Sequence, residues 1–326
     1  MDRQQAAAAA PNPPSKALRT RAERAWGKRD EWQKVLIDAY DYVAPHRLST
    51  RWAKRNPQAR TNKMFDNTAA VAWMRAAGRL QQDLFPPGQP FFALDPGPAV
   101  AKLGMNVDDA RRELQLISDQ IHPVFLNGEW DQAAIEMILD AFISTGTTLI
   151  LEGNATQPVR FANVPLDEMA FDSGPYGRLE GYFWKKKWTR RAVKEAFPKG
   201  NYKPEFLTET NGEEEITFCQ NVIFDAANNN WYFCAYEDGD TERDTWTETS
   251  LECPFVAMRY FRLPGEDMGY GPVLLNLPTT KTLNKAVELT LKSASIAMAG
   301  IYTRIDDGVF NPDTARIEPG AMWAVA

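Results

Sequence analysis

Along roughly the first 145 positions, apolar side chains recur three and four residues apart, the spacing that places them on one face of a helix. This predicts helices over Lys16–Val43, Phe65–Leu84, Val107–Phe125 and Trp130–Ser144, with a short strand near Phe91. Asp66 and Asn106 are suited to capping the second and third helices, because their side-chain oxygens can accept from the free amides of a first turn. After position 147 the period shortens to two. Strands are expected over Thr148–Leu151, Val159–Ala162, Gly181–Trp188, Ile216–Phe224, Trp231–Tyr236 and Phe255–Phe261, mostly antiparallel. A short helix, Arg190–Phe197, follows the capping residue Thr189, and Ala227-Asn228-Asn229-Asn230 supplies a turn between two strands.

The pattern changes once more near Pro264. Gly265, Gly269, Gly271 and Pro272 form a Gly/Pro-rich hinge, and Leu274 to Ala299 then runs without glycine, with only Pro278 near its start. That stretch predicts one long helix of about five to six turns. It ends at Gly300, and Ile301-Tyr302-Thr303-Arg304-Ile305 reads as a strand before an Asp306-Asp307-Gly308 turn. At 100° per residue, Lys281, Lys285, Glu288, Lys292 and Ser295 share an arc of roughly 80°. Small side chains gather towards the helix end and would let helix axes approach closely. The stripe fits an ordinary solvated face or, if copies of the helix pack around an axis, rings of lysine lining a channel.

Composition narrows these readings. With 326 residues and 44% hydrophobic content, the chain can bury a substantial core. No apolar run reaches the ~20 residues of a membrane span, and the Ala6–Ala10 stretch with Pro11, Pro13 and Pro14 reads as a low-complexity tail over residues 1–15. Residues 1–63 carry 14 Lys/Arg against 6 Asp/Glu, a net of +8, so the rest carries −14 to reach the overall −6. An acidic body does not hold duplex DNA by its phosphates, but an acidic wall with isolated lysines would guide DNA without gripping it. The basic amino-terminal segment suits a solvated helix or contact with an acidic neighbour.

Candidate chemistry is sparse. Cys219, Cys234 and Cys253 are odd in number and lack CxxC spacing, which argues for buried thiols rather than a disulfide framework or a zinc site. His46 and His122 lie beside prolines without a nucleophile motif, so structural roles are expected. Asp238, Asp240, Glu242 and Asp244 alternate like the start of a calcium loop, but Arg243 stands where that loop needs glycine. A solvated hairpin rim is the expected reading. Trp184 and Trp188 flank Lys185-Lys186-Lys187, which suits a lysine-protected edge strand, a subunit interface or a stacking platform for single-stranded nucleic acid. No cofactor and no metal site are predicted.

Several segments, in order, resemble the podovirus-type head-to-tail connector, or portal, proteins of tailed bacteriophages. These are Asp38-Ala39-Tyr40-Asp41-Tyr42-Val43-Ala44-Pro45-His46-Arg47; Phe65-Asp66-Asn67-Thr68 leading to Leu84-Phe85-Pro86-Pro87-Gly88 and Pro90-Phe91-Phe92-Ala93-Leu94; Asp140 to Leu149; Phe161 to Glu168; the hinge and long helix; and Ile317-Glu318-Pro319-Gly320. Their colinearity over about residues 20–325 carries the resemblance.

The resemblance implies an α+β, portal-like fold. A wing over 16–272 would have a helical part (16–145) and a β-rich part (146–272), followed by a stem helix over 273–300 and a partial β clip over 301–326. It implies a non-enzymatic, dodecameric ring at the portal vertex of the virion, through which double-stranded DNA is packaged and ejected. The implied partners are the major capsid and scaffold proteins, terminase and a tail adaptor. Lys281, Lys285 and Lys292 would face the DNA channel, and Tyr302, Arg304, Asp306, Asp307, Arg316 and Trp323 would lie in the clip that meets terminase and adaptor. The family pattern continues into a second stem helix, a tunnel loop and a crown, whereas this sequence ends at Trp323-Ala324-Val325-Ala326, as expected of a truncated or partly represented product or of a shorter relative. Two rival readings are another phage neck, adaptor or minor capsid protein, and a metal-dependent packaging nuclease.

Overall fold

The computed structural model describes residues 15–47, 64–97, 106–208, 211–240, 243–299, 302–305 and 322–325, the last two segments as backbone. The low-complexity tail over residues 1–15 therefore lies almost wholly outside the described residues. Among the described residues there are six α-helices: α1 (Ser15–Val43), α2 (Thr68–Leu84), α3 (Val107–Asn127), α4 (Trp130–Ile143), α5 (Arg190–Ala196) and α6 (Pro272–Ala299). With antiparallel sheet between α4 and α6, the fold is α+β.

The central sheet is a five-stranded antiparallel meander of β3 (Met169–Ser173), β4 (Leu179–Thr189), β5 (Glu215–Asp225), β6 (Asn230–Glu237) and β7 (Trp246–Ser250). A second sheet sets β1 (Thr145–Glu152) between β2 (Val159–Val164) and β8 (Phe255–Arg259), again antiparallel. A small hairpin, β9 (Phe261–Arg262) with β10 (Gly269–Tyr270), leads into α6. Beyond it, β11 (Tyr302–Ile305) pairs in parallel with β12 (Met322–Val325).

Both faces of the five-stranded sheet are covered, and residue alternation decides by what. Phe183, Cys219, Ile223, Tyr232 and Cys234 face the first half of α1, which presents Leu18, Ala22, Ala25 and Trp26 at three- and four-residue spacing. Their neighbours Tyr182, Trp184, Val222 and Trp231 face the main core, which joins the second half of α1 (Leu36, Tyr40, Val43), α2 (Trp73), α4 (Ile138, Phe142) and the base of α6 (Leu274, Leu277). One helix thus serves two cores. Arg29, almost at its middle, is buried and donates to the carbonyls of Met169 (3.2 Å) and Leu166 (3.3 Å), tying α1 to the link between the two sheets.

Four expectations need correction. No strand forms near Phe91. The segment after Pro90 satisfies its apolar demand as an aromatic wedge instead, with Phe91 stacked on Trp130 at 5.8 Å and edge-on to Phe85 at 5.4 Å. Asp66 does not cap α2; Asn67 stands at that position without a side-chain cap bond. The peptide N–H groups of Phe65 and Asp66 donate instead to Asn284 Oδ1 on α6, at 2.7 and 3.1 Å. Strands β3 and β7 were not foreseen. The Trp184–Trp188 stretch is no free edge throughout: β4 is paired with β5 along its second half and with both β3 and β5 at Trp184. Asn106 and Thr189 do cap their helices, accepting from Asp108 N–H at 3.1 Å and Ala192 N–H at 3.3 Å.

Candidate functional site

The long helix α6 has two unlike halves. From Pro272 to Asn284 it packs on its own chain, with Leu274, Leu277 and Asn284 buried. From Lys285 onward no residue is buried, and Leu289 (56%), Leu291 (53%) and Met298 (84%) expose large apolar side chains. An apolar groove of 330 Å³ opens beside the base of the helix, lined by Ala69, Ala72 and Trp73 of α2 and by Val273 and Leu283 of α6.

The stripe of lysines on α6 is not uniform. Lys281 Nζ lies 2.5 Å from Asp38 Oδ2 of α1, so it anchors the helix to the body. Lys285 and Lys292 bracket Glu288, at 2.9 and 2.6 Å. Hydrogen bonds from Lys292 and Lys285 hold the Glu288 carboxyl below the usual range. The distal half thus offers two exposed ammonium groups with an anion between them.

The glycines before α6 are held closely. Gly271 N–H donates to Ile143 O at 3.0 Å, and a Cβ at Gly271 would lie 1.9 Å from Phe142 O, so no other residue fits without moving backbone. Gly269 donates to Thr145 Oγ1 (2.9 Å) and accepts from Ser144 Oγ (2.7 Å). Gly265 has φ +85. Asp267 accepts from Ser173 N–H at 2.9 Å and from Lys28 Nζ at 3.0 Å. Pro272 begins the helix, where its missing N–H leaves no bond unmade. Tyr302 and Arg304 fall in β11 and Trp323 in β12, described as backbone alone, while Asp306, Asp307 and Arg316 lie outside the described residues.

The other candidate chemistries resolve into structure. Of the acidic hairpin rim, Asp238 pairs with Lys185 (3.3 Å), Asp240 with Lys203 (2.8 Å) and Asp244 with Arg19 (2.7 Å), while Glu242 lies outside the described residues. Among the described residues no cluster of potential metal ligands is found. His122 sits against Phe92, with Nε2 2.9 Å from the Phe92 carbonyl; the His46 side chain lies outside the described residues. Cys219, Cys234 and Cys253 are free, and burial pushes the Cys219 and Cys253 thiols up to about 12, where neither is a ready nucleophile. Trp184 is buried with its Nε1 donating to Glu168 Oε2 at 2.9 Å, so it offers no stacking face. No described helix is long and apolar enough to cross a membrane.

The basic amino-terminal segment is where sequence reasoning missed most. Several of its described cations pair with carboxylates of the body. Arg19 lies over the Tyr236 ring at 3.9 Å and pairs with Asp244, Arg21 and Arg24 meet the buried Asp172, Lys28 meets Asp267, and Arg47 meets Asp140 at 3.1 Å. Five cations of the amino-terminal segment are thus paired with carboxylates from the acidic remainder of the chain.

A family model described as bacteriophage head to tail connecting protein matches residues 15–326. No curated protein matches the chain.

Proposed function

The chain belongs to the bacteriophage head to tail connecting proteins, and from that premise we propose that it is a portal subunit. Copies close into a dodecameric ring at one vertex of the capsid, forming a conduit for double-stranded DNA during packaging and ejection. The observation that carries this reading is the divided α6: residues up to Asn284 are seated on the body, whereas from Lys285 to Ala299 no residue is buried among the described residues, Leu289 and Leu291 included. Such a helix is suited to packing beside copies of itself, since oligomers bury apolar surface that a subunit leaves open.

On this reading residues 16–272 form the wing, 273–300 the stem and 301–326 the start of the clip. The segment around Gly265, Gly269, Gly271 and Pro272 is the joint that sets the stem's direction. Lys285 and Lys292 face the DNA, with Lys281 at the base of the same stripe. Their interleaving with Glu288 suits sliding, because two partly neutralised ammonium groups bind phosphates weakly. Tyr302, Arg304, Asp306, Asp307, Arg316 and Trp323 belong to the surface that terminase and a tail adaptor contact, while the wing meets the major capsid and scaffold proteins.

Electron-microscopy class averages of the purified gene product test the ring. Closed rings with a central pore of duplex width are expected; a monomer or a poreless assembly would overturn the conduit and favour a neck adaptor. Within rings, Lys285→Ala with Lys292→Ala should leave assembly unchanged and alter packaging or DNA retention. Unchanged packaging and retention would place the stripe elsewhere.

A further inference from the structure

Between the edge of the three-stranded sheet and the end of the five-stranded one lies a cleft of 560 Å³ that the conduit does not use. Three arginines line it: Arg178 before β4, Arg259 at the end of β8 and Arg262 in β9. Arg259 donates to the carbonyls of Gly177 (3.2 Å) and Asp267 (3.4 Å), and Arg262 to that of Tyr176 (2.5 Å). Arg178 lies 5.8 Å from the Phe224 ring centre. Among the described residues none of the three forms an ion pair with a carboxylate, although Arg259 is half-buried. Glu252 lines the same cleft without pairing with them. The charges are close enough to act on each other: burial and then the neighbouring Arg262 charge lower the Arg259 pKa.

The floor of the cleft is a strand edge. Phe255, Val256 and Ala257 line it consecutively, which alternate-facing side chains do only where a strand presents its side. β8 is the outer strand of its sheet. Ile150 N–H donates to Pro254 O, and the register runs Leu149↔Phe255, Thr148↔Val256, Thr147↔Ala257. Alternation then turns the main-chain groups of Phe255 and Ala257 away from β1. Tyr182 and Trp231 supply an aromatic wall.

We propose that this cleft is a docking site for an extended acidic segment of a partner protein, which adds as a strand beside β8 and sets its carboxylates against Arg178, Arg259 and Arg262. Strand addition provides main-chain bonds, and the guanidinium groups read carboxylates in pairs of parallel hydrogen bonds. A polypeptide fits better than a duplex. The groups on offer are those of a β edge over an aromatic wall, and the acidic body repels a long polyanion. The inference does not depend on ring closure.

Binding of fluorescent probes to the full chain tests it. The probes are a peptide alternating valine and glutamate, the same peptide with glutamine for glutamate, and a short DNA duplex. Arg178→Glu suits the test because the Arg178 side chain is exposed and makes no hydrogen bond among the described residues, while its carbonyl, which accepts from Gly174 N–H, is kept by the substitution. Ala257→Pro blocks strand addition at a residue whose N–H points away from β1. The glutamate peptide should bind, the glutamine peptide should bind about tenfold more weakly or worse, and each variant should lose at least about tenfold while its melting temperature stays near that of the parent. Four results would overturn the proposal: no peptide binding up to on the order of 1 mM, equal binding of both peptides, preference for the duplex with the same loss in the variants, or parental binding in both variants. Loss of oligomerisation in Arg178→Glu without peptide binding in the parent would identify the cleft as a subunit contact instead. Ring formation, read separately, tells failure of this site from failure of the conduit.

Discussion

The two halves of α6 share one helix and one backbone geometry, yet they stand in opposite relations to the rest of the chain. The half up to Asn284 is fastened by buried leucines, by Asn284 accepting from two peptide N–H groups and by the Lys281–Asp38 pair. The half beyond it exposes Leu289, Leu291 and Met298 and keeps its ion pairs to itself, between Lys285, Glu288 and Lys292. Stability of the subunit resides in the first; among the described residues nothing buries Leu289, Leu291 or Met298 of the second. On this difference rests the proposal that the projecting half packs against other copies, and it can be attacked from either side.

The largest effect is expected deep in the fastened region. Asp140, 1% exposed, gathers the Tyr40 hydroxyl (3.1 Å), Arg47 (3.1 Å) and Asn163 (3.4 Å) beneath α4, and its burial raises its pKa against the pull of Arg47. Asp140→Ala strands the Arg47 charge and should cost about 3 kcal/mol or more in urea unfolding. Next, Asn284→Leu leaves the Phe65 and Asp66 N–H groups unpaired and should cost about 2 kcal/mol, while loosening the base of α6 in hydrogen exchange.

Asp167, in the link between the two sheets, should leave a pH signature. Burial, followed by the Glu168 charge, raises its pKa from 3.8 to about 7, and its Oδ2 is buried without a hydrogen-bond partner. A carboxyl whose folded pKa is raised holds its proton longer in the folded state. Its ionisation therefore removes stability as pH rises from about 4 towards 7. Asp167→Asn should flatten that part of the stability profile measured by thermal melting against pH. An unchanged profile would mean that the site hydrates on ionisation.

The smallest effect on the isolated subunit should come from the projecting half. Leu289→Glu with Leu291→Glu should change unfolding free energy by less than about 0.5 kcal/mol, yet prevent assembly as read by sedimentation. Equal assembly by the double variant would detach the exposed leucines from the interface.

Much of the secondary structure was legible in the sequence, because it follows from local periodicity. The helices, the alternating strands β4–β6 and the long glycine-free run after the hinge all appear in it. β7 was missed because Thr247, Glu248, Thr249 and Ser250 are exposed, so no apolar alternation marks them. β3 was missed for the opposite reason: Met169, Ala170 and Phe171 are all buried, and a short run buried on both sides has no period. Phe91 misled because its aromatic partners are Phe85, just after α2, and residues of α3 and α4 rather than of a neighbouring strand. The lysine stripe was readable as an angle on a helix, but the partner that removes Lys281 from it, Asp38, lies 243 residues away in sequence. The same distance effect hid the inward turn of Arg19 and Arg21. Long-range ion pairs leave no local pattern.

Hydrogen exchange followed along α6, in the assembled protein and at dilutions where it is monomeric, tests the division most directly. The account predicts protection of residues up to Asn284 in both states, and protection of Lys285 to Ala299 only on assembly. A distal half equally protected in the monomer, or one that exchanges freely within rings, would contradict it.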